Sequence, residues 1–242
     1  MKEPSTRRDR RQTKRGGSTS PPRRDPMIAI YVGFAVLIAV VFGIFGVMRW
    51  REIRRVQAAY ATPTPGPNAT SSPIPLADGE TLGKQVFPPG DTQQGGHGKP
   101  IDGMTCATQE YVTLHIHSHL ALFVHGVQIG IPKFIGMTPS PLGGCLYWIH
   151  THDASGIIHV EAPQLHPLGA PEYTLGMFFD VWGMPLSRDD VAGYKGPVTA
   201  FVNGALYTGP LAQIPLLAHQ EITLEVGTPV VPPPNYTFPP DD

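Results

Sequence analysis

The chain holds ten histidines, all beyond residue 48, and six of them fall in two short runs. In Thr113-Leu114-His115-Ile116-His117-Ser118-His119 the imidazoles alternate with mostly apolar residues, and such alternation on a β-strand puts all three on one face. Successive members then have Cα atoms about 7 Å apart, so two can share an ion on a flat strand and the third needs a bend near Ser118. The second run, His150-Thr151-His152-Asp153-Ala154-Ser155-Gly156-Ile157-Ile158-His159-Val160-Glu161, reads as a hairpin. With Ala154 and Ser155 as its two turn residues, His150 faces His159, and His152 and Glu161 share that face. Three imidazoles around one point leave a coordination position open to water. A bulge at Gly156 would instead slip the register by one and send His159 to the opposite face. The candidate metal ligands are therefore His115, His117, His119, His150, His152 and His159, with Asp153 and Glu161 as supporting carboxylates or acid–base groups. The competing reading is a hydrated outer face, or imidazoles bonded to backbone and threonine hydroxyls. His97, His125, His166 and His219 are isolated and read as structural.

Imidazole with carboxylate suits Zn(II), Cu(II), Fe(II) or Ni(II), and zinc or copper is the expected transition metal. Met104, Met137, Met177 and Met184 would shift a site toward Cu(I) only by approaching the histidines. Gly144, then five intervening residues, then His150-Thr151-His152 begins like the cupin metal motif. That motif wants a Glu four or five residues after its second His, and Gly156 and Ile157 stand there. A G-x-S-x-G elbow, a P-loop, a dinucleotide fingerprint and an H-E-x-x-H helix are all missing from the sequence, so no standard enzyme class is indicated.

These runs must be held by a domain outside a membrane. The net charge of −1 over 242 residues conceals a segregation: residues 1–26 carry +6, residues 49–55 carry +3, and everything after Arg55 carries −10. So acidic a body repels phosphate backbones and argues against nucleic acid as its partner, leaving only the basic N-terminus able to touch polyanions. From Met27 to Met48 there is no charge, Asn, Gln, Ser, Thr or Pro. At helical rise those residues span roughly 33 Å, enough for a bilayer core of about 30 Å. The run ends in Met48-Arg49-Trp50-Arg51 and not in a small-residue cleavage site, which reads as an uncleaved signal anchor. Within twenty residues of its ends stand eight Lys/Arg on the N-terminal side and four on the other. The N-terminus is thus expected in the cytoplasm and the C-terminal domain outside it. Ala35, Ala39 and Gly43 form a small-residue stripe that would let two such helices meet as a homodimer.

Composition divides the chain into a basic disordered tail (1–26), the transmembrane helix (27–48), a basic segment and Pro/Gly-rich stalk (49–104), a His-rich domain (105–227) and a Pro-rich tail (228–242). Within the domain, apolar residues at 112, 114, 116, 120, 122 and 124 predict a long strand over 111–124, returning through His125-Gly126 over 127–131. Residues 146–151 and 157–162 are expected to form a hairpin. Residues 198–202 and 205–208 should form another about Asn203-Gly204, and residues 221–226 a last strand. One helix is expected, capped by Thr174, with Leu175, Phe178, Phe179 and Trp182 on one face and Gly183 at its end. The fold class is α+β, one transmembrane helix followed by a β-rich antiparallel domain with one short helix. Cys106 and Cys145, the sole cysteines, are expected as a disulfide closing a 39-residue separation, worth about 3–4 kcal/mol on the chain-entropy view.

The stretches HIHSHLALFVHG, CLYWIHTHDASGIIHVE and YTLGMFFDVWG, within residues 111–204, resemble those of uncharacterised bacterial single-pass membrane-anchored proteins with a His-rich extracytoplasmic domain. The resemblance implies an envelope protein and no particular activity. The leading functional expectation is an extracytoplasmic metal-binding domain for handling, sensing or stability. Its rivals are a metal-free partner-binding envelope module and an open-site metalloenzyme.

Overall fold

The computed structural model describes residues 26–59, 63–77, 79–138, 144–163 and 173–240. Helix α1 (Pro26–Ala59) contains a stretch, Ile30–Arg54, long and apolar enough to cross a membrane and unburied along its length. It continues past the apolar run into the Arg-, Glu-, Gln- and Ala-rich segment, whose residues are good helix formers. The start of the expected stalk is therefore helical. Chain contacts divide the protein between Arg49 and Trp50 into two units.

The second unit is built around one mixed sheet. In chain order its strands are β1 (Ile74–Pro75), β2 (Leu114–Val124), β3 (Val127–Ile129), β4 (Met137–Thr138), β5 (Cys145–Leu146), β6 (Ile149–His150) and β7 (Ile157–Ala162). Helix α2 (Leu175–Trp182) follows, then β8 (Asp190–Val191), β9 (Tyr194–Lys195), β10 (Val198–Val202), β11 (Ala205–Tyr207), β12 (Gln220–Val226) and β13 (Tyr236–Thr237). The main sheet runs β11-β10-β12-β2-β7-β6, with β3 returning along the far end of β2. Most pairings are antiparallel, as the α+β reading expects, but β12 runs parallel to β2. Local patterning does not reveal that exception, because a parallel partner must arrive by a long crossover.

Strand β2 sorts the molecule into two faces. Leu114, Ile116, Leu120 and Leu122 are buried in the main core with Ile158, Val160, Ile222 and Leu224. Helix α2 covers that core, burying Leu175, Phe178, Phe179 and Trp182. Each such side chain stabilises the fold by about 1.5–3 kcal/mol relative to exposure. Thr174 Oγ1 accepts from the Met177 N–H, and Gly183 ends the helix in the left-handed conformation (φ 78°). On the opposite face lie the odd-numbered residues of β2, and there Ala121 and Ile157 pack with Leu76 and Tyr236 in a second apolar cluster.

That cluster widens the folded region beyond the expected 105–227. The Pro-rich segment before it donates from Gly66 N to Asn203 O, from Asn68 N to Gly204 O and from Thr70 N to Pro233 O. Further on, β1 pairs parallel with β13. Prolines remove donors from an extended chain but leave its other backbone groups free to pair, and the domain offers partners on this face. The expected strand over 146–151 is likewise split. Residues 145–146 pair with β4, Tyr147 turns inward to donate its hydroxyl to Lys99 O, and pairing with β7 begins at Ile149. The Asn203-Gly204 hairpin forms as expected, with Val202 opposite Ala205. Cys106 and Cys145 meet as a disulfide pair, their Cα atoms 5.1 Å apart.

Candidate metal centre

Three neighbouring strands bring both histidine runs to one place. Strand β7 lies between β2 and β6, with His117 opposite His159, His115 opposite Glu161, and His150 opposite His159. The pairing of His150 with His159 is the register that the two-residue-turn reading requires, although the connection itself is wider. Thr151 leaves the ladder, its N–H donating to Ile135 O and its hydroxyl to Pro132 O. Asp153 Oδ1 accepts from Ser155 N, and Ile157 N donates to Ser155 Oγ. Gly156 then closes the loop at φ 89°, where a Cβ would stand 2.6 Å from Leu120 O. Only glycine fits there, and the positive φ leaves His159 on the same face as His150.

The donors fall into two sets, His115, His117, His159 and Glu161, and His150, His152, His159 and Glu161. Within each set the ligand atoms all lie within 4.8 Å of one another. The His115 and His117 Nε2 atoms are 3.1 Å apart, and those of His150 and His152 are 2.9 Å apart. Glu161 Oε1 stands 3.3 Å from His115 Nε2, 3.6 Å from His159 Nδ1 and 3.9 Å from His150 Nε2. His117, His150 and Glu161 are buried, His159 is mostly so, and the half-exposed His115 and His152 form the mouth. His150 Nδ1 lies 2.9 Å from Tyr147 O. A carbonyl only accepts, so Nδ1 carries the proton and Nε2 presents its lone pair to the centre, the usual backing of a metal-bound imidazole.

Burial sets the charge state here. It holds the His117 and His159 imidazoles down at about 3, helped by the neighbouring rings, His159 for the first and His152 for the second. His150 is likewise pushed well below the ordinary imidazole range, first by burial and then by His159 and His152. Burial, with Glu110 adding to it, raises the Glu161 carboxyl to about 7, against the opposing pull of His115 and His152. His117, His150 and His159 are thus neutral nitrogen donors beside the Glu161 carboxyl, whose Oε2 is buried without a hydrogen-bond partner. Donors of these types at this spacing could hold a metal ion.

Of the expected site residues, His115, His117, His150, His152 and His159 come together, and Glu161 joins them as a donor. His119 stands apart: its Nε2 lies 2.9 Å from Ser155 O, and its ring packs against Tyr236 at 4.2 Å. Burial lowers its imidazole to about 4. Asp153 also serves the fold, with its Oδ2 accepting from Gly79 N at 2.6 Å while Oδ1 holds the turn. Glu110 Oε1 lies 3.5 Å from His152 Nε2 and was not foreseen, since it precedes the first strand in a segment without periodicity. Among the isolated histidines, His97 bonds Thr92 O, His125 bonds Thr228 O at 3.2 Å, and His219 stacks on Phe238. His166 lies outside the described residues. Met104, Met177 and Met184 pack in or against the main core, and Met137 pairs in β4. No family model, curated protein or solved structure matches the chain.

Proposed function

We propose that this protein is a single-pass membrane protein whose C-terminal domain, outside the cytoplasm, binds a transition metal for handling or sensing. The observation that carries this reading is the convergence of His115, His117, His150, His152, His159 and Glu161 from three adjacent strands into donor sets of ligand-atom spacing. Nitrogen and carboxylate donors favour Zn(II) or Cu(II). Support for the location comes from the apolar helix, the eight-to-four distribution of basic residues and the acidic body. The stripe at Ala35, Ala39 and Gly43 supports pairing of two helices in the membrane.

Elemental analysis of the full-length protein in detergent should find bound Zn or Cu. After chelation, returning that ion should raise the melting temperature by mass action. Unchanged melting with Zn(II), Cu(II), Ni(II) and Co(II), together with no bound metal, would reject the reading. A second reading, a metal-dependent enzyme, is favoured by a cleft of about 480 Å³ whose wall includes His152, Lys133 and Phe134. It requires a proton-transfer group other than Asp153, whose carboxylate oxygens are already engaged by backbone N–H groups.

A further inference from the structure

Five imidazoles and one carboxylate exceed what a single ion in this geometry can gather. Two atoms bound to one ion at about 2.1 Å cannot stand more than about 4.2 Å apart. The six donors do not meet as one set; they divide into two sets of four that share His159 and Glu161. The division follows the sheet. His115 and His117 come from β2, His150 and His152 come from β6 and the residues just after it, and both shared donors come from β7 between them. Adjacent strands are about 4.8 Å apart, so the two His-x-His pairs stand on backbones nearly twice that distance from each other. The His159 ring lies midway, its centroid 4.4 Å from that of His117 and 4.3 Å from that of His152. Glu161 turns Oε1 toward imidazoles of both pairs, and its buried Oε2 has no hydrogen-bond partner.

From this placement, and resting on the metal-binding reading above, we infer that the centre takes two divalent transition-metal ions bridged by the Glu161 carboxylate. One ion is held by His115 and His117, the other by His150 and His152, and His159 completes one of the two shells. The remaining positions open toward solvent beside His115 and His152, the half-exposed members of each pair. Carboxylate-bridged ions of this kind lie about 3.5–4 Å apart and polarise a ligand held between them.

The test is cobalt stoichiometry of the full-length protein in detergent, stripped with chelator and dialysed against cobalt chloride. Two equivalents per chain are expected, with magnetic coupling between them in the electron paramagnetic resonance spectrum. The paired variants His115→Ala/His117→Ala and His150→Ala/His152→Ala should each bind one uncoupled equivalent while keeping the wild-type circular dichroism. Saturation of the wild type at one equivalent overturns the two-ion centre and leaves a single-ion site standing. Loss of all cobalt from both folded paired variants does the same. No bound cobalt in the wild type overturns the two-ion centre, and failure of Zn(II), Cu(II) and Ni(II) to bind the same stripped protein overturns the metal-binding reading with it. Because stoichiometry and coupling are read on the wild type, a variant that fails to fold does not obscure the outcome.

Discussion

His117 and His119 stand two residues apart on the same face of one strand and do different work. His117 lies among the donors, whereas His119 holds the Ser155 carbonyl and packs on Tyr236. Replacing His117 by Ala should cut metal affinity at least tenfold, read by competition with a chelating dye. Replacing His119 by Phe should leave that affinity within a factor of about three and lower stability by about 1–3 kcal/mol, because a buried carbonyl loses its donor. Equal losses of affinity would place His119 in the centre after all. Glu221 provides a separate residue-scale test. Burial raises its carboxyl to about 7 against the hydrogen bond it accepts from the Tyr236 N–H, so its folded pKa exceeds the unfolded one. Its contribution to stability is then fully present below about pH 4.5 and lost as pH rises through 7. Glu221→Gln keeps an acceptor for Tyr236 and removes the charge. The variant should melt roughly 3–6 °C above the wild type at pH 8, where the partly solvated charge costs about 1–2 kcal/mol, and no higher at pH 4. A difference independent of pH would refute the assignment.

At the scale of elements, β7 and the loop before it decide whether a centre exists. A period-two strand tolerates no slip of one residue, since His159 and Glu161 would pass to the core face and Ile158 and Val160 to the donor face. The loop prevents the slip through Gly156, whose φ of 89° and contact with Leu120 O exclude any side chain. Gly156→Ala should lower the melting temperature by several degrees and weaken metal binding although no donor is touched. Unaltered binding and melting would show that the loop does not govern the register. The pairing of His150 with His159 was legible in the sequence as one of two registers, because the turn residues and the histidine spacing are local. The inward turn of Tyr147 that shortens the expected strand was not, since it answers to Lys99 and Gly136, both distant in sequence.

For the whole molecule, the apolar helix and the cysteine pair lead to one joint measurement. On the proposed orientation, and with Cys106 paired to Cys145, a thiol reagent that cannot cross membranes should label intact cells only after mild reduction. Labelling without reduction would show free thiols, and labelling only after lysis would reverse the orientation. The reduced protein should also melt lower, since the bond closes a separation of 39 residues.

What the amino-acid sequence determined by itself is whatever contiguous residues can express. The apolar run sets a helix long and apolar enough to cross a membrane, the alternation of His with Leu and Ile assigns faces on β2, and Thr174, Gly183 and Asn203-Gly204 mark ends and turns. Only the tertiary structure decided that β2 lies beside β7 and that β12 joins it in parallel. It also decided that the Pro-rich segment folds back onto the β13 strand. The same long-range pairing brought two histidine runs more than thirty residues apart against the shared His159 and Glu161, and gave His119 to the loop. Periodicity belongs to neighbouring residues along the chain, whereas strand order is settled by contacts whose partners lie far away in sequence, and the His/Glu donor cluster depends on both.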